Sequence, residues 1–281
     1  MNIVRLKRLI EDGHFTSVVE EIGKEPCQTQ ARIVALDGGG YYYGLALLRL
    51  SLVKELNELI ESLTSFDPYR ANKLRCSLEL TRSPKNASTL LDALLNDDPG
   101  EIMGDDVFLW AVLNAGLGSR IEKYVRYIPD EKMRSLVEGI LKEGSSSEKS
   151  FNTNFDDLGL TSAASLLLAA SLLIDSKEYD PAQRLIDKAL VLHPNHADAL
   201  AFKEFVCFQL TKRAAPTDMQ SVKAAGGWNH ALATQLLRTN LRSNKFGKSF
   251  QISLVELRLT LSLGATARKT LQCISNAKVD G

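Results

Sequence analysis

The sequence predicts an all-α chain built of helical hairpins, and three observations carry that expectation. Apolar residues recur at helical spacing in segment after segment, with charged residues on the opposite face. Proline and glycine fall between these segments, where they end helices or open turns. Only Gln251 to Gly264 alternates by two, and a single strand would leave its backbone donors and acceptors without partners, so that stretch too is read as helix.

Taken in order, Ile3, Leu6, Leu9 and Ile10 share one face of a first helix that Gly13 ends, and Thr16 to Gly23 forms a second before Pro26. A helix from Thr29 to Asp37 follows. Tyr41 to Leu63 then reads as one long helix, because Leu45, Leu48, Leu52, Leu56, Leu59 and Leu63 form a stripe opposite Lys54, Glu55, Glu58 and Glu61. Tyr69 to Leu80, Ala87 to Leu95, Val107 to Ala115, Ser119 to Tyr127 and Asp130 to Lys142 each read as a helix between breakers. Gly144 to Asn154 is polar and without apolar periodicity, which predicts a linker or long loop over residues 144–157. The expected division is therefore a helical region at 1–143, that linker, and a second helical region at 158–281. Within the second region the helices are Leu160 to Lys177, Pro181 to Leu192 and Asn195 to Lys212. Pro181 suits a first helical turn, where its missing N–H is not needed.

Small residues at Ala170 and Ala182, Ala189 one helix face further on, and Pro194 at the helix end give the segment from Ala163 to His196 a 34-residue pattern that resembles a tetratricopeptide repeat. The next helix, to Lys203, resembles the start of another. Pro68, Pro99 and Pro129 fall about 30 residues apart, as repeat ends would. Leu74, Ala87 and Gly44 occupy matching positions upstream, although Arg75 replaces a small residue. The resemblance implies an α-solenoid in which each hairpin covers its neighbour's apolar flank and first helices line a concave face. That face is expected to include Leu167, Ser171, Asp198, Ala201, Phe205 and Phe208. The family's Lys and Asn clamp for a C-terminal carboxylate is not evident there, so the expected partner is an extended or helical protein segment bound through apolar contact.

Thirty-four basic and 34 acidic residues balance overall but not locally. Asn86 to Ser119 holds six acidic residues and no Lys or Arg, whereas Lys212 to Gly281 carries eleven basic residues against Asp218, Glu256 and Asp280. Arg238 and Arg242 lie four apart on an expected helix and Lys245 and Lys248 continue the charge, so these residues are expected to select acidic partner character. A nucleic-acid-binding helical repeat using this tail is the alternative, with Phe246 and Phe250 as its few stacking aromatics. A homodimer joining the acidic segment of one copy to the basic tail of another also fits.

Cys27, Cys76, Cys207 and Cys273 are far apart and form no CxxC pair, which predicts reduced thiols in a cytoplasmic protein and no disulfide or zinc site. The N-terminal segment lacks a signal-peptide apolar core, and the run from Leu160 to Ile174 is too short to span a bilayer.

Ile33 to Gly40, IVALDGGG, followed by Gly44, is similar to the oxyanion-hole segment of patatin-like lipid hydrolases, which would imply a strand entering a glycine-rich loop. Tyr43 stands where that family has Arg. No Gly-x-Ser-x-Gly elbow occurs, Gly116 to Arg120 lacks its spacing, and no second Asp-Gly supplies a dyad partner. The missing nucleophile favours a glycine turn joining two helices, so no catalytic residue is assigned and lipid acyl hydrolysis is the last alternative. The three glycines also lack the spacing and lysine of a phosphate loop. His193 and His196 straddle Pro194, and Asp97-Asp98 and Asp105-Asp106 suit helix caps, so no metal or other cofactor is expected. A non-catalytic interaction scaffold is the function the sequence predicts.

Overall fold

The structure is a computed structural model that describes residues 2–36, 38–143, 159–194, 196–211 and 263–276. Among these residues every regular element is helical and no strand occurs. In chain order the helices are α1 Ile3–Glu11, α2 Phe15–Lys24, α3 Cys27–Ala31, α4 Gly40–Arg49, α5 Val53–Thr64, α6 Pro68–Arg82 and α7 Pro84–Asp97. They continue as α8 Pro99–Met103, α9 Asp106–Asn114, α10 Gly118–Ile121, α11 Glu131–Glu143, α12 Ala163–Asp175, α13 Tyr179–Leu192 and α14 Ala197–Thr211, with α15 at 263–276. A π-helical turn, Arg32–Leu36, follows α3, and a 3-10 segment, Glu122–Tyr127, follows α10. The 144–157 segment lies outside the described residues, as does nearly all of Gln251 to Gly264.

The chain gathers into two compact units that do not follow its order: residues 1–74 with 195–281, and residues 75–194. In the first, α1, α2, α4 and α5 pack together around Leu6, Val18, Val19, Ile22, Leu47, Leu56 and Leu59, all inaccessible to solvent. The Arg5 guanidinium joins α1 to α2 through two 2.8 Å bonds to the Glu21 carboxylate, which holds that carboxyl below its usual range. In the second, α12 packs against α13, α9 and α11. Its residues Ser165 through Ala170 are buried in succession, because a helix apolar on every side must be covered on every side. Ser162 caps it, accepting from the Ser165 amide at 3.1 Å.

Beyond shifts of up to three residues at other helix ends and the short α8, which was not expected, three elements differ in kind from the sequence expectation. Tyr41 to Leu63 is two helices, broken at Leu50 to Leu52. The Leu52 amide donates to the Leu47 carbonyl (2.9 Å) and the Ser51 amide to the Leu48 carbonyl (3.0 Å), with Ser51 at φ 58°. This is a Schellman ending, and it closes α1, α9 and α12 in the same manner with Gly13, Gly116 and Lys177 in the left-handed position. Nothing in the leucine stripe marks the break, because Leu45 and Leu56 remain buried on either side of it. The helix expected from Thr29 to Asp37 begins earlier, at Cys27, and widens into the π turn. The helix expected from Ser119 to Tyr127 is α only to Ile121 and then tightens to 3-10.

Candidate partner-binding surface

Two of the residues expected on a concave face, Leu167 and Asp198, are buried inside their own units. Leu167 is fully buried within α12, so its side chain serves the interior of its unit and is closed to a partner. Asp198 is 2 % exposed and pairs with Arg49, whose guanidinium also lies over the Phe15 ring, 5.1 Å from its centre. Its carboxylate therefore answers an internal cation. Ser171 is half-buried and its hydroxyl donates to the Leu168 carbonyl at 2.8 Å. Phe205 is half-buried on α14, where Ala201 and Phe208 also lie. Arg238, Arg242, Lys245 and Lys248 lie outside the described residues.

The expectation of four reduced thiols is corrected at one pair: Cys27 and Cys273 form a disulfide with their Cα atoms 5.1 Å apart. Their separation of 246 residues explains why no spacing motif marked it. Cys76 remains a buried thiol, and burial together with the Glu79 carboxylate pushes its pKa up to about 12.

The glycine segment is a packed turn. Residues Arg32–Leu36 are helical, where the hydrolase resemblance implies a strand, and the Gly39 amide donates to the Ile33 carbonyl at 3.0 Å. A Cβ on Gly39 would stand 2.5 Å from the Ile33 carbonyl oxygen, and one on Gly40 would stand 2.8 Å from that of Val34. Gly38 has φ 74° and faces the Arg70 guanidinium. Close approach of backbone to backbone accounts for these glycines.

Two residues of the acidic segment serve as helix caps. Asp98 accepts from the Glu101 amide and Asp105 from the Phe108 amide, each at 3.0 Å, as N-caps of α8 and α9. Among the described residues no group of His, Cys, Asp and Glu could hold a metal ion. No described helix is long and apolar enough to cross a membrane.

A groove of about 690 Å³ opens in the second unit, lined by Asp92 and Asn96 from α7, Ser119 and Arg120 from α10, and Glu122, Lys123 and Tyr124 from the 3-10 segment. Two bonds set its width: Arg120 donates to Asp92 at 2.6 Å, and the Tyr124 hydroxyl donates to the Asn96 side-chain carbonyl at 3.1 Å. Lys123 lies over the Tyr124 ring and Arg126 over that of Tyr127, at 4.8 and 5.0 Å from the centres, with the rings 6.4 Å apart. The tightened 3-10 segment brings these groups to one side. The groove was missed in the sequence because its two walls are joined across 28 residues, Asp92 to Arg120 and Asn96 to Tyr124; its legible trace was the alternation of cation and tyrosine in KYVRY.

Compared with family models, curated proteins and solved structures, the chain shows no significant match to any of them.

Proposed function

We propose that the protein is a non-catalytic helical scaffold that holds a polar segment of a partner protein in the groove of its second unit. The groove carries this reading. It offers two carboxylates, two cations, an amide and a phenol, all anchored on helices, and its charges balance. Such a lining suits a segment that presents both donors and acceptors, and does not favour a polyanion or an apolar chain. The α12–α13 hairpin supports the scaffold class, since Ala170, Ala182 and Ala189 are all fully buried, as close packing of tetratricopeptide-like helices requires. The same unit leaves Val191 and Leu192 exposed, apolar area of the kind partner contacts cover.

A nucleic-acid reading keeps one favouring observation, the two tyrosines with cations at their faces, because bases stack on such rings. Asp92 and Glu122 in the same groove oppose it. Capture from nuclease-treated lysate, by wild type and by an Arg120→Glu, Tyr124→Ala variant, tests the proposal. The scaffold reading expects the variant to lose a discrete protein that the wild type keeps at both low and high salt. Equal capture by both proteins would contradict it, and capture abolished by salt or nuclease would favour nucleic acid.

A further inference from the structure

Helix α15 joins the first unit through contacts of unequal strength. Leu263, Ala267, Leu271 and Ile274 are buried along one face, and Thr270 is fully buried with them. Thr266 sits so closely on Gly23 that no Cβ could fit between them. Arg268, half-exposed, donates to the buried Glu55 carboxylate at 3.2 Å. The helix also covers Tyr43, which is inaccessible to solvent; burial pushes its phenol well above its ordinary pKa, the nearby Thr270 hydroxyl works against that, and the Glu55 carboxylate adds to it. Besides these contacts there is one covalent bond, from Cys273 to Cys27 at the start of the five-residue α3. Cys27 is exposed, so the bond that fastens the helix is open to attack from solution while the surface beneath it is not.

We propose that α15 is a redox-controlled clamp: reduction of the Cys27–Cys273 disulfide releases the helix and uncovers the surface around Tyr43, Leu52 and Glu55. The reductant is a dithiol. Its thiolate attacks one cysteine sulfur, the S–S bond breaks, and the other sulfur leaves as a thiolate that takes up a proton. The reductant's second thiol then resolves the mixed disulfide, so two electrons and two protons pass to Cys27 and Cys273 and the dithiol becomes a disulfide. Without the bond, the described contacts of α15 are a partly exposed ion pair, four apolar side chains, the buried Thr270 and the packing of Thr266 on Gly23, a small set that places it at the low-stability end of the unit. Cys76 does not substitute for either partner, being buried and held as the neutral thiol.

Hydrogen–deuterium exchange of the full chain tests this, with the protein oxidised, treated with dithiothreitol, or carrying Cys27→Ser. Peptides covering 263–276 are expected to exchange at least about tenfold faster in the reduced and Cys27→Ser proteins, as local opening does. Peptides covering 53–64 and 163–192 are expected to stay unchanged, and a Cys76→Ser, Cys207→Ser protein to keep the full response. Equal exchange in oxidised and reduced wild type would overturn the proposal. So would loss of protection across 53–64 together with 263–276, which marks a structural staple, or peptide mapping that finds Cys27 and Cys273 as free thiols after oxidation.

Discussion

Arg49 and Asp198, 149 residues apart in sequence, form a buried ion pair that fastens α14 to α4. The Asp198 side chain is 2 % exposed and that of Arg49 24 %. Removing one member leaves the other charge inside without its counter-ion, a larger cost than removing both. Asp198→Ala should destabilise the first unit by about 2–3 kcal/mol, toward the low end for a buried pair because Arg49 is partly wet. An Arg49→Met, Asp198→Leu double replacement should recover most of that loss in denaturant titration. Equal losses in the single and double variants would remove the pair from the account.

Ser51 and Lys177 hold left-handed backbone without being glycine, at φ 58° and 64°. Side chains with a Cβ are strained there, whereas Gly13 and Gly116 fill the same position without strain. Ser51→Gly and Lys177→Gly should each stabilise by about 0.5–1 kcal/mol, visible as a raised unfolding midpoint. A lower midpoint for either would mean that its helix does not end as described.

Gly39→Ala and Gly44→Ala separate two kinds of crowding. At Gly39 the new methyl meets the Ile33 carbonyl, which is backbone and has nowhere to go, so a loss of about 2 kcal/mol or more is expected. At Gly44 it meets the tip of Leu74, which can rotate, and about 1 kcal/mol is expected. The order of the two losses, measured by thermal unfolding, is the test.

Alkaline pH should destabilise both units. The Cys76 thiol is raised from 9.0 to about 12 in the folded chain, so above pH 9 the unfolded chain gives up its proton and the folded chain keeps it. Its contribution is complete below pH 9 and disappears as pH rises toward 12, with a slope of about 1.4 kcal/mol per pH unit at most. Tyr43, also raised by burial, acts in the same direction from its ordinary value of 10.0 upward. A Cys76→Ala protein should lose stability less steeply between pH 9 and 12 than the wild type. Parallel curves would refute the assignment.

The hairpins at Ile3 to Gly23 and Ala163 to Leu192 were legible because helical period, breakers and small residues agree there. The end of α4 was not, since a Schellman turn taken by Ser51 leaves no glycine or proline to read. The Cys27–Cys273 bond and the Arg49–Asp198 pair were hidden for another reason: both join segments far apart in the chain, and a single sequence carries no record of which distant residues meet. Leu167 and Asp198 were misplaced by the repeat pattern, which assigns a helix to an inner face without knowing what else covers it. The groove was hidden for the same reason as that bond and that ion pair, since its walls meet through Asp92 with Arg120 and Asn96 with Tyr124, each pair 28 residues apart, and the tightening from α to 3-10 after Ile121 is too small a change of pitch for apolar periodicity to register over six residues.

A photoreactive phenylalanine at Lys123, on the exposed wall of the groove, compared with one at the exposed Glu20 of the first unit, tests the scaffold account most directly. The account predicts that irradiation in cell lysate joins the Lys123 position to a discrete partner protein, that Arg120→Glu abolishes the adduct, and that the Glu20 position gives none. Adducts of equal yield at both positions, unaffected by Arg120→Glu, would contradict it.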